Sequence, residues 1–94
     1  MAFVRAVEFE GVSGERIEEI RQEISDGEPP ENLPAKEIAI LHDAAQERAL
    51  VLVFFDSEED YEKGDQVLNE MPGEETPGRR TGVTKYEVAG RMTL

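Results

Sequence analysis

The sequence predicts a single α+β domain over residues 1–94, with a four-stranded antiparallel sheet carrying two helices on one face. Three observations lead there. Four segments of strand length and composition occur, at 3–10, 36–42, 48–55 and 81–89. The first pair and the last pair are each separated by a stretch with apolar residues at helical spacing. The third segment, Arg48-Ala-Leu-Val-Leu-Val-Phe-Phe55, is apolar at seven of its eight positions. A strand with one wet face alternates apolar and polar residues; this run has no wet face and needs cover on both sides.

In the first strand Phe3, Val7 and Phe9 share a face with Arg5, while Val4, Ala6, Glu8 and Glu10 share the other. Gly11 to Gly14 turn the chain. Ser13 is a suitable helix N-cap, and the Glu15 carboxylate favours the positive end of the helix dipole. Ile17, Ile20 and Ile24 recur at i, i+3 and i+7 with Glu18, Glu19 and Glu23 off the stripe, which makes a one-sided helix that Gly27 ends. Residues 28–34 form a stiff connector, since Pro29, Pro30 and Pro34 permit neither helix nor ladder. The second strand sets Ile38, Ile40 and His42 on one face and Ala39 and Leu41 on the other. A short loop, 43–47, returns the chain antiparallel into the third strand.

Ser57 and Asp60 have the spacing of a capping box for the second helix. Its buried stripe is Tyr61, Leu68 and Met71, with Gly64 where the helix comes close to the sheet, and Pro72-Gly73 stops it. The Glu/Pro/Gly-rich loop 73–78 leads to the last strand. There Thr84, Tyr86 and Val88 share a face, and Tyr86 belongs first of all to the core. Gly90 to Leu94 are expected to be loosely held or to reach a neighbouring chain.

The order β-α-β-β-α-β is the ferredoxin-like arrangement. Right-handed crossovers place strands one and three in the middle, in the order 4-1-3-2. Two helices cover one face only. The other, presenting Val51, Val53 and Phe55 or their alternates, needs another cover, and a homodimer formed through the open sheet faces supplies it.

Net charge is −12, and its distribution is uneven. Residues 14–28 carry six acids against two bases and 56–78 carry nine against one, while 79–94 carry four bases and one acid. Acidic helix faces of this kind repel nucleic acid. They keep a small protein soluble, and they would also serve a basic docking partner. No run approaches the roughly 20 apolar residues of a membrane span, and residues 1–6 offer no apolar signal core, so a cytoplasmic location is expected. The chain has no cysteine and one histidine, which argues against a metal site. The sequence Asp56-Ser-Glu-Glu-Asp60 lacks the alternating oxygen ligands of a calcium loop.

With the elements in place, the sequence resembles the dimeric α/β-barrel superfamily, in particular small proteins related to the antibiotic biosynthesis monooxygenases. The residues that carry the likeness are Phe3-Val-Arg-Ala-Val-Glu-Phe-Glu-Gly11, Ala39-Ile-Leu-His-Asp43, Arg48 through Glu59, and Tyr86-Glu-Val-Ala-Gly-Arg91. The resemblance implies two ferredoxin-like sheets paired into a dimeric α/β barrel with a cleft inside it. Such proteins commonly carry Trp at the strand-to-helix junction where this chain has Phe55, and the chain has no Trp. Quinone-forming members work without a cofactor; haem-degrading members pair a helix-borne His with Asn and Trp. Neither set maps onto this chain, where His42 ends a strand and Asn69 lies near the end of a helix.

Four side chains are candidates for ligand binding: Arg5, His42, Phe55 and Tyr86. Three of them, His42, Arg5 and Tyr86, are also the candidates for catalysis. His42 has the one side chain whose unperturbed pKa is near neutral. Arg5 on a mostly apolar face needs either a carboxylate partner or an anionic ligand. Tyr86 could donate a hydrogen bond. The expected function is to bind a small apolar or aromatic molecule in the barrel cleft without a cofactor. The alternative is a cofactor-independent monooxygenase-like enzyme acting on a phenolic or quinone-like substrate. A pocket lined by at least two of Arg5, His42 and Tyr86 would favour the enzyme; one filled by Val, Leu and Phe would favour the binding protein.

Overall fold

The computed structural model describes residues 2–26, 33–70 and 77–94, with residues 24–26 described by their backbone alone. The elements run β1 (Phe3–Glu10), α1 (Gly14–Asp26), β2 (Glu37–Asp43), β3 (Arg48–Phe55), α2 (Glu58–Asn69) and β4 (Arg79–Glu87). The sheet order is β2-β3-β1-β4 with every neighbouring pair antiparallel, as the right-handed crossovers require. Of the sequence expectations, the Ile24 side chain, the helix end at Gly27, the connector before Leu33, Met71, the stop at Pro72-Gly73 and the loop up to residue 76 lie outside the described residues.

Both helices start where their caps stand. Ser13 Oγ accepts the Arg16 N–H at 3.2 Å, and Ser57 Oγ accepts the Asp60 N–H at 3.1 Å. Both lie on the face that carries Arg5, Val7 and Phe9. In register with those residues are Val53, Val51 and Ala49 of β3, and Ile38, Ile40 and His42 of β2 stand opposite these in turn. The face left without helices therefore carries Leu50, Leu52 and Phe54, the alternates of Val51, Val53 and Phe55. Tyr86 pairs with Val4 across β1 and β4, so it too stands on the open face, 57% exposed rather than in the core. The expectation for Tyr86 fails because period-two alternation groups residues by face without telling which face is covered.

The core beneath the helices is in two parts. One is Val7, Phe9, Val12 and Ala49, with Ile17 packed on it. The other is Val53, Phe55 and Tyr61, with Phe3, Leu33, Ile38 and Leu68 around it. Phe55 is 1% exposed; its ring lies against Gly64 of α2 and meets Tyr61 edge-on at 5.5 Å. Burying that ring contributes about 1.5–3 kcal/mol. Val51 touches both parts, and between them β1 places the buried Arg5. Charged groups are almost never buried unless paired, so a core interrupted by an arginine must supply partners.

β4 begins and ends two residues earlier than the sequence predicts, although Val88 still donates its N–H to the Ala2 carbonyl at 2.9 Å. Its register with β1 slips between Glu8 and Phe9: Gly82 faces Glu8 but Arg80 faces Phe9, leaving Thr81 as an extra residue. The bulge reverses the alternation and brings Arg80 to the helix-covered face. Beyond β4, Arg91 lies over the Phe54 ring at 4.9 Å and bonds Glu37 at 2.8 Å, so residues 88–91 cross one end of the open face.

Candidate functional site

Where the two parts of the core fail to merge, a cavity of about 160 Å³ lies between sheet and helices. Its floor is Val7, Val51, Val53 and Ile40, and Ile20 and Leu68 close it from the helices. Phe9 and Pro77 complete the apolar lining, and Arg5, Arg80 and Glu23 are its charged members.

Arg5 is 4% exposed and bonds α2 through two of its nitrogens. Its Nε donates to Asp65 Oδ1 at 2.7 Å and its Nη2 to Asn69 Oδ1 at 2.9 Å. Asn69 Nδ2 donates in turn to Asp65 Oδ2 at 3.3 Å. Arg80 Nη1 donates to the same Asn69 oxygen at 2.9 Å, so two guanidinium groups converge on one neutral amide. The carboxylate expected for Arg5 is thus Asp65. Tyr61, one turn before Asp65, has its pKa raised, first by burial and then by the Asp65 charge, with Arg5 opposing. Its phenol stays protonated through neutral pH.

The other sequence candidates stand elsewhere. His42 shares the sheet face of Arg5 but sits at its far end, where Nε2 lies 3.0 Å from the Val12 carbonyl. A carbonyl only accepts, so Nε2 carries the proton, and the imidazole fastens the β1–α1 connection to β2. The Val12 N–H donates to the Glu47 carbonyl at 2.7 Å, and Val12 is completely buried between the two ties. His42 also borders a shallow hollow of about 370 Å³ at the hairpin end, whose rim carries Glu8, Glu10, Asp43 and Arg48. Phe55 is packed into the core, and Tyr86 is on the opposite face of the sheet. Of the four ligand candidates, Arg5 alone lines the apolar cavity.

Asp65, Asn69 and Arg80 were not singled out by sequence reasoning. For the first two a signal exists: Asp65 is i+4 from Tyr61 and Asn69 is i+4 again, so both border the buried stripe opposite an arginine in need of partners. For Arg80 the signal is fainter. Gly82 inside a strand pattern marks a bulge, but not the side chain the bulge re-aims.

Among the described residues no group of three or more His, Cys, Asp or Glu side chains is placed to hold a metal ion. No described helix is long and apolar enough to cross a membrane. Comparison with protein-family models, with curated proteins and with solved structures returned no match.

Proposed function

We propose that this protein is a small-molecule-binding module that acts as a homodimer, each chain holding one single-ring apolar or aromatic molecule between its sheet and its helices. The observation that carries the reading is the cavity: about 160 Å³, floored by Val7, Val51, Val53 and Ile40. An apolar cavity of about 150 Å³ in a protein core accepts benzene. Pairing of open faces into a dimeric α/β barrel is supported by the apolar side chains Leu41, Leu52 and Tyr86, which no helix covers. Catalysis has less support. The monooxygenase-like reading needs at least two of Arg5, His42 and Tyr86 around one substrate, and the three stand apart, in the cavity wall, at the hairpin end and on the opposite face of the sheet.

The test is an NMR titration of the intact chain with toluene. Saturable shifts confined to the methyl groups of Val7, Val51, Ile40 and Leu68 are expected, with a Kd of about 1 mM or tighter. Shifts that fail to saturate, or that spread over the open sheet face instead, would overturn it.

A further inference from the structure

We infer that the cavity selects an anion, a small monocarboxylate with an apolar ring, whose carboxylate sits at the mouth between Arg5 and Arg80 while the ring lies on the valine floor. The inference rests on the binding reading above and adds the charge of the ligand. Three observations carry it.

The first is a charge count. Nine of the ten lysines and arginines lie within 4.0 Å of a carboxylate, Arg5–Asp65 and Arg79–Glu10 among them. Arg80 alone has no carboxylate partner among the described residues, on a chain whose net charge is −12. Its hydrogen bond goes to the neutral Asn69 amide.

The second is convergence. Both arginines donate to one amide oxygen at 2.9 Å, so their donor nitrogens stand no further apart than twice that distance. A carboxylate presents two oxygens to such a pair and meets both positive donors with a negative acceptor, which the neutral amide does not. The bonded network Arg5–Asp65–Asn69–Arg80 holds two positive charges against one negative. Glu23, the one acid among the described residues of the lining, has a side chain 69% exposed and turned toward Arg16 at 4.0 Å.

The third is the bulge. Without the extra residue at Thr81, regular alternation would put Arg80 on the open face beside Gly82. The slipped register aims it at the cavity mouth instead. Arg5 already has Asp65 and Asn69, so its burial does not require a second cation nearby.

The probes are benzoate and toluene, which match in ring and size and differ in charge at pH 7. Each is titrated into the full chain and into Arg80→Gln, an exposed substitution that keeps the fold. Benzoate is expected to bind at least tenfold more tightly than toluene to the native chain. In Arg80→Gln that preference should fall several-fold. If toluene shifts the cavity methyls but benzoate binds no better, the cavity reading stands and the anion inference is overturned. A preference that survives Arg80→Gln overturns it as well. If neither probe reaches the cavity methyls, both readings fail together.

Discussion

Gly64 stands where α2 comes closest to the sheet, and a β-carbon there would overlap the Phe55 ring. Two effects oppose each other on substitution by alanine. Helix propensity favours alanine by about 1 kcal/mol. Overpacking a filled core costs about 1–3 kcal/mol, because either the ring leaves its rotamer or the helix lifts. Phe55 is boxed in by Tyr61 and Leu33 and has little room to give, so the second effect wins. The overlap calls for the upper part of that cost, so Gly64→Ala is expected to lower stability by about 1–2 kcal/mol after the gain in propensity, read as a lower urea midpoint at unchanged m-value. A variant as stable as the native chain would show that the ring moves freely, and the close approach would lose its meaning. This glycine was legible in the sequence because it interrupts an otherwise apolar helical stripe. Arg5 was legible for the complementary reason, as a charge interrupting an apolar strand face. What the strand could not reveal was the partner, since Asp65 and Asn69 are fixed by the way α2 lies across β1.

At the level of elements, α2 does more than cover the sheet: it brings Tyr61, Gly64, Asp65 and Asn69 to the Arg5 side, and its placement sets one wall of the cavity. Its start depends on Ser57, whose extended backbone and hydroxyl satisfy an otherwise orphaned N–H. Three acids, Glu58, Glu59 and Asp60, follow in the first turn and suit the helix dipole. Ser57→Ala is expected to cost about 1 kcal/mol and to speed amide exchange in the first turn of α2 ahead of the sheet. Unchanged stability and exchange would mean that the acids alone hold that end. The order of elements and the faces of β1, β2 and β3 were written plainly in the apolar alternation. β4 was not. It is an edge strand exposed along most of its length, so few apolar residues marked its ends or its register. A slip of one residue exchanges the two faces of a strand, and the bulge at Thr81 does this for Arg80. The half of the site carried by α2 was therefore open to inference from spacing, and the half carried by β4 was hidden by irregular pairing.

For the whole molecule the decisive feature is the open face. Val4, Ala6, Ala39 and Leu52 lie at its centre, with Leu41 and Tyr86 more than half exposed at its two edges. Strand spacing of about 4.8 Å and a rise of about 3.4 Å per residue give four eight-residue strands a footprint of about 500 Å². A stable interface of standard size buries about 800 Å² per partner, so the strands alone fall short. The shortfall lies next to the face: Arg91 is laid over Phe54, and Met92 and Leu94 follow it fully in solvent. The proposed dimer should therefore use both the strands and this tail, and each should be necessary. Leu52→Lys puts a charge at the centre of the face, where a dimer would have to bury it unpaired. It is expected to give a monomer at tens of micromolar by light scattering, with an unchanged circular dichroism spectrum. Removing residues 92–94 should weaken association at least tenfold and leave the monomer fold intact. A native chain that is monomeric at those concentrations would sink the dimer. If Leu52→Lys associates as the native chain does, the contact lies elsewhere on the molecule. Because the cavity is on the far side of the sheet from the open face, toluene binding should survive in the monomeric variant. That outcome separates the two parts of the proposed function: a binding site complete within one chain, and an assembly needed only to cover what the helices leave bare.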